Sequence, residues 1–478
     1  MFTRLPQPIF RTIASILLIG ASVVPQPTFS ADIPNVNLPP VKYQSQYGDL
    51  KFPEKYPDGT TLEITLQSHF VPKYDEWFDG YAQAWGKAHN VTVTTIHMNL
   101  ANLGKALASA IETKQGSTMY EMIVPPSLFI ESLHPLNDVN EAAQKAFGEP
   151  AQTCARSTYL PSKKLWHGFC QGYVLNPMLY RISWWKDAGY PKGPSTFSDL
   201  LKGGKKIIKK DKEHRVGVGM SPEIDSEGYA LSLIWSYGGT LQDADGKPAL
   251  DSPQTVKAVA YAKSLYESAE LPEVIDAKGW TAASNNEGFM AGRLSFIENA
   301  ISVYRTSLDS KPEIAADTGV KPALLGPDGK LHPSIVIWLT QVIPQYVTDK
   351  DQIAAAKNFM LDLQANYANA TFYSKTYNMP GFSSSAPEAW RKGGWLSKDP
   401  WAPQSPDKLD VLREAEHTTT WLGYPGYLTP WVSEVYYAHI LPAMLASAAK
   451  GEKTPEQSVK DAAKQVGEIY EKWKAKGY

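Results

Sequence analysis

Apolar and polar positions along this chain change period several times, and each change marks an element. Leu62, Ile64 and Leu66 alternate with Glu63 and Thr65, the two-residue period of a strand with one buried face. Trp77, Tyr81, Ala84 and Trp85 then recur at helical spacing within Tyr74 to His89. Val91 to Met98 returns to a strand pattern, Leu103 to Thr113 to a helical one, and Glu121 to Val124 to a short strand closed by Pro125-Pro126. This β-α-β-α-β order predicts a parallel sheet with right-handed crossovers.

Further on, Lys164 to Leu175 reads as two extended pieces around Gly168 and Gly172. Thr196 to Lys210 is helical, capped by Ser195 or Thr196. Val216 to Met220 predicts a strand, and Gly228 to Tyr237 a helix stopped by Gly238-Gly239. Asp245-Gly246 signals a hairpin turn. Gln254 stands where a calcium loop beginning at Asp243 needs a glutamate, so calcium is not expected there. Gln254 to Leu271 is a helix, and Trp235 lies on an apolar helical face as a core residue. Phe289 and Met290 belong to a helical turn, Gly292 stops it, and Leu294 to Ile297 is an apolar strand ending in Glu298-Asn299. Leu324 to Pro327 and Ile335 to Ile343 read as extended, and Lys350 to Leu363 as a helix. Thr454 to Lys474 carries the clearest helical signal. Thr454 caps it, Pro455 opens it, Gln457 completes a capping box, and Val459, Ala462, Ala463, Val466, Ile469, Tyr470 and Trp473 make one stripe.

Composition narrows the class. A length of 478 residues with 43% apolar content supports two or more lobes with real cores. The formal charge of −2 falls to about −4 without Arg4 and Arg11, and no basic patch points to nucleic acid. Residues 1–30 read as a secretory signal: a positive start, an apolar stretch from Ile13 to Val24 too short to span a bilayer, and small residues before Ala31. Residues 31–58, rich in Pro and polar side chains, read as an extended segment. Cys154 and Cys170, 16 apart in an exported chain, predict one structural disulfide, and His167 beside them does not complete a zinc set. No metal or cofactor is expected.

Catalytic signatures are missing: no G-x-S-x-G, G-x-G-x-x-G, Walker loop or H-E-x-x-H occurs. A carboxylate pair such as Glu287 and Glu298 could in principle serve a glycosidase, but their spacing does not select that role.

The run holding Trp280, Asn285-Asn286, Phe289, Gly292, Phe296 and Asn299 resembles family 1 extracellular solute-binding proteins of ABC importers. Gly423 to Pro430, Glu434 to Tyr436 and Leu441 to Trp473 resemble the same family's closing segments. So do Leu165 to Arg181 and Trp235 to Lys247. Departures fall at Tyr120-Glu121-Met122 and around Ile337-Trp338. The resemblance implies an α/β chain with a two-lobed periplasmic binding protein fold of type II-like form, its lobes joined by hinge segments around a central ligand cleft. Lobe one is expected at 59–171 plus 322–380, and lobe two at 174–318 plus 381–478. Hinges are expected near Gly172-Tyr173, Gly319 and Pro380-Gly381.

Ligands in open α/β folds sit outside strand carboxyl ends. That rule selects loops, and the candidates after strands are His69 with Phe70, Pro125 and Ser127, one of Asp225, Glu227 and Tyr229, and Asn299 with Ser302; the further candidates are Tyr173 at the hinge, Trp280, Trp338, and Tyr424 and Tyr427 in a Gly-Pro loop. Aromatic faces would stack on sugar rings and polar side chains would bind hydroxyls. The expected function is capture of a carbohydrate or polyol for an inner-membrane ABC permease by a periplasmic, monomeric, non-enzymatic protein. The alternatives are a secreted glycosidase and a binder of a charged solute. With only seven arginines outside the leader, a phosphorylated or dianionic solute is less favoured, although Arg293 or Arg305 could serve one.

Overall fold

The computed structural model describes residues 40–124, 126–373, 376, 378–385 and 408–478; the leader expected at residues 1–30 lies outside them. The alternating run after Gly59 is strand β1 (Thr61–Gln67). Leu62, Ile64 and Leu66 are fully buried beneath the helices. Helix α1 (Pro72–His89) opens with proline at its first position and closes on Asn90 in the left-handed conformation. β2 (Thr92–Met98) follows, then α2 (Leu100–Thr113), whose Asn99 cap accepts from Ala101 N, then β3 (Met119–Met122). β1 pairs in parallel with both β2 and β3, as the sequence order predicted.

The sheet is then completed by antiparallel strands. β4 (Phe169–Leu175) runs into the first strand of a second sheet, β5 (Met178–Arg181), after only Asn176 and Pro177. The second sheet also contains β6 (Arg215–Val216), β7 (Leu294–Glu298) and β8 (Thr318–Lys321), in the order β6-β7-β5-β8. The chain returns to the first sheet with β9 (Val336–Val342) and β10 (Met379–Pro380), giving the order β10-β4-β9-β3-β1-β2. Gly172 and Tyr173 lie within β4, Gly319 lies within β8, and Gly381 N donates to Gln171 O beside β10.

Several local expectations are refined. The strand at Val216 to Met220 shortens to β6, after which Met220 N donates to Val274 O, off the ladder. Leu324 to Pro327 forms no strand and makes only a single bridge, Leu325 with Thr196. The described part of the N-terminal segment is not simply extended: Gln46–Tyr47 pairs with Leu50–Lys51. It is docked through Asp362, a fully buried carboxylate that accepts from Gln44 N (2.8 Å), Tyr47 Oη (2.6 Å) and Trp85 Nε1 (2.7 Å). These donors meet the demand of a buried charge for hydrogen bonds. Thr196 and Asp199 form a complete capping box on helix Phe197–Lys210. At helix Pro455–Ala475 the box is half made: Thr454 accepts from Gln457 N, but the Gln457 amide bonds Asp461. The disulfide Cys154–Cys170 joins helix Gln152–Thr158 to β4 across a Cα separation of 5.5 Å. Closing a loop of that length stabilises the fold by about 3 kcal/mol. No helix among the described residues is long and apolar enough to cross a membrane.

Candidate functional site

A cavity of about 60 Å³ lies where carboxyl ends of strands from both sheets meet. From the first sheet come Gln67 at the end of β1, His69 to Val71 just beyond it, Leu100 at the start of α2 and Ile123 after β3. Val174 of β4 and Ile337 of β9 form the floor. From the second sheet come Asn299 and Ala300 after β7, and Ser302 at the start of the next helix, Ser302–Ser310. Ile224 and Asp225, opening helix Ile224–Ser236, complete that wall with Ala282. Thr376 and Asn378, both buried, also line it. Phe70, 38% exposed, is the one aromatic side chain among these described lining residues.

His69 is the ionic centre of the first wall. Its Nδ1 lies 2.5 Å from Asp75 Oδ1 and its Nε2 3.3 Å from Glu121 Oε1. Burial pulls the imidazole pKa down, but the bonds to Asp75 and Glu121 outweigh it and lift the value to about 9. His97 continues the array outward, 2.8 Å from Asp79 and 3.6 Å from Asp75. The wall opposite is acidic and amide-rich. Burial raises Asp225 to about 6, although a bond from Asn285 Nδ2 at 3.0 Å opposes this. Glu298, just beneath at the end of β7, is pushed up to about 8 by burial, so near neutral pH it keeps a proton and can donate. Ser302 Oγ is buried with no partner among the described residues. The lining thus offers both hydrogen-bond donors and acceptors. Among the described residues no group of three or more His, Cys, Asp or Glu side chains is arranged to hold a metal ion.

The residues expected from sequence divide into three sets. His69, Asn299 and Ser302, with Phe70 and Asp225, come together at the cavity. Tyr173 and Trp338 do not reach it. They are cross-strand partners, and so are their neighbours Val174 and Ile337, which do line it. Alternation turns the large rings to the opposite face, where Trp338 Nε1 donates to Thr153 Oγ1 at 3.1 Å. The remaining candidates are buried elsewhere or held in a loop. Glu227 is fully buried with Oε1 3.3 Å from His439 Nδ1. Tyr229 is core, and the Trp280 carbonyl accepts from Ser221 Oγ at 3.0 Å. Tyr424 packs edge-on against Trp235 and Trp421, and the Arg156 guanidinium sits 4.3 Å over Tyr427. Ser127 bonds Ser433 Oγ (2.5 Å) and Thr429 O, and Pro125 lies outside the described residues. Sequence reading missed the apolar floor, which the period of the strands does signal once one cavity-facing residue is known.

The sequence profile of the bacterial extracellular solute-binding protein family matches residues 72–367. No curated protein matches the sequence. Solved structures share the fold at low identity. A putative oligosaccharide periplasmic-binding protein from Synechococcus sp. MITs9220, in complex with zinc, superposes with a TM-score of 0.71 at 20% identity, covering 86% of this chain and 100% of the other. Maltose-bound MalE3 of T. maritima gives 0.70 at 16% identity, with 85% and 99% covered. An ABC transporter solute-binding protein of Agrobacterium radiobacter K84 in complex with ribitol gives 0.68 at 19% identity, with 87% and 100% covered. The fold is therefore the two-lobed periplasmic binding protein fold.

Proposed function

The chain belongs to the bacterial extracellular solute-binding protein family, and from that premise we propose that it captures a small polyhydroxylated solute, a single sugar or polyol, in the cavity between its sheets. The observation that carries this reading is a cavity lined by polar side chains from both sheets, Gln67 from the first and Asp225, Asn299 and Ser302 from the second, together with the apolar Val174 and Ile337. Hydroxyl groups both donate and accept, so such walls bind them without a net charge on the solute. One aromatic ring in the lining favours recognition by hydrogen bonds over stacking, which departs from the aromatic contacts expected from sequence. The structures that superpose on this chain include proteins whose bound ligands are maltose, tagatose and ribitol. Export to the periplasm, a monomeric state, domains divided near the crossings between the sheets, and delivery to an ABC permease complete the proposal. The solute leaves chemically unchanged.

A thermal-shift screen of the mature protein against neutral sugars, polyols, amino acids and phosphorylated sugars tests it. A neutral hit at about 100 times its dissociation constant adds roughly 2.7 kcal/mol of stability. In Asp225→Ala and Asn299→Ala, affinity for that hit falls at least about fivefold, the worth of one hydrogen bond. Hits confined to charged compounds, or turnover of the hit, would overturn the proposal.

A further inference from the structure

Two adjacent asparagines stand behind the second wall of the cavity, on the short helix Ser284–Met290. Successive helical residues point about 100° apart. Asn285 and Asn286 use that divergence to reach different cavity-lining residues. Asn285 Nδ2 donates to Asp225 Oδ2 at 3.0 Å, and Asn286 Oδ1 accepts from Asn299 Nδ2. We propose that this pair positions the solute-binding wall, with Asn285 aiming the Asp225 carboxylate and Asn286 aiming the Asn299 amide. The inference rests on the reading that this cavity binds the solute.

Backbone amides fix the sense of each bond. Asn299 Oδ1 accepts from Ala300 N at 2.5 Å, so its Nδ2 must be the group that turns to Asn286. Asn286 therefore serves as an acceptor. Asn285 Oδ1 accepts from Asn286 N at 2.8 Å, so its Nδ2 is the group that meets Asp225. Asn285 therefore serves as a donor. The wall that results keeps Asp225 Oδ1 as an acceptor and one N–H of Asn299 as a donor. An acceptor and a donor in one lining suit the hydroxyls of a solute, which both donate and accept. Neither asparagine is among the residues lining the cavity, so both act through their partners.

Opposite hydrogen-bond roles at neighbouring positions make the idea sharply testable. Crystal structures of ligand-free Asn285→Leu, Asn285→Asp, Asn286→Leu, Asn286→Asp and the double variant Asp225→Asn/Asn285→Asp would report the side-chain rotamers of residues 225 and 299. Calorimetry with glucose, ribitol and maltose would report affinity. Aspartate at 286 keeps an acceptor, so Asn286→Asp should hold the Asn299 rotamer and bind within about twofold of wild type. Aspartate at 285 sets two carboxylates together, so Asn285→Asp should turn Asp225 and bind at least about fivefold more weakly, one hydrogen bond's worth. Asn285→Leu should likewise turn Asp225, Asn286→Leu should turn Asn299, and each should bind at least about fivefold more weakly. The double variant, with its donor and acceptor exchanged, should restore the rotamer at 225. Unchanged rotamers in both leucine variants, or equal behaviour of Asn286→Asp and Asn286→Leu, would overturn the proposal. If wild-type protein binds none of the three compounds, the solute reading fails for them, and the rotamers still decide the positioning role.

Discussion

Two buried histidines respond to acid and base in opposite senses because their partners differ. His69 is held between Asp75 and Glu121, and its folded pKa stands at about 9 against an ordinary 6.5. A raised value means that its contribution to stability is complete below about pH 6.5 and is lost as pH climbs through 9. His167 is buried with neither ring nitrogen hydrogen-bonded among the described residues, and burial alone drives its value down to about 3. The folded protein resists protonating it, so stability is lost as pH falls from 6.5 toward 3. Urea midpoints measured across pH should therefore show His69→Gln lacking part of the alkaline decline and His167→Gln lacking part of the acid decline. Profiles parallel to wild type in both variants would refute the assignment. Neither environment was legible in the sequence. His69 could be placed after a strand, but Glu121 reaches it only through the pairing of β1 with β3. At Tyr173 and Trp338 the sequence offered two conspicuous rings on cavity-floor strands. Their register turns them away and presents Val174 and Ile337 instead.

Elements were easier to read than their contacts, because periodicity and caps are local while register is not. The first β-α-β-α-β run, the helix after Thr196 and the helix after Thr454 all fall within a few residues of the pattern that predicted them. Where the expected elements failed, at Val218 to Met220 and Leu324 to Pro327, backbone groups bond outside a ladder, a choice that only the tertiary surroundings make. The two capped helices carry a difference that stability measurements can detect. At Thr196 the box is reciprocal, with Asp199 accepting from Thr196 N at 3.1 Å. At Thr454 it runs one way, because Gln457 Nε2 turns to Asp461 at 2.7 Å. Loss of a cap costs about 1 kcal/mol, so Thr196→Ala and Thr454→Ala should each lower stability by that order. The residues three positions on should differ. Asp199→Ala removes the second half of a working box and should cost a comparable amount, whereas Gln457→Ala should cost a few tenths of a kcal/mol, the worth of an exposed contact one helical turn apart. Equal losses at 199 and 457 in chemical unfolding would contradict the geometry.

The two-lobed architecture was implied by the family resemblance, and the cavity suggests a mechanical meaning for it. Its walls belong to different sheets, so a solute bound as proposed, by Gln67 and Asn299 at once, would stabilise the arrangement in which the sheets approach. A bond links segments that carry the two walls. Thr306 Oγ1, half-buried on the helix that begins at Ser302, donates to the backbone oxygen of the exposed Phe70 at 2.8 Å. On the proposal that the two lobes open and close about the cavity, this bond would belong to the closed arrangement. Thr306→Val preserves shape and removes the donor, which should shift the open–closed equilibrium by about 1 kcal/mol. Affinity scales with the fraction of protein already competent to bind, so the dissociation constant should rise by up to about fivefold. The unfolding midpoint of the ligand-free protein should stay near wild type, because the site is at the surface of the fold. Small-angle scattering should show a larger radius of gyration for the ligand-free variant and the same compact value as wild type at saturating solute. An unchanged dissociation constant, or a variant that remains expanded when saturated, would show that the bond does not couple the two walls.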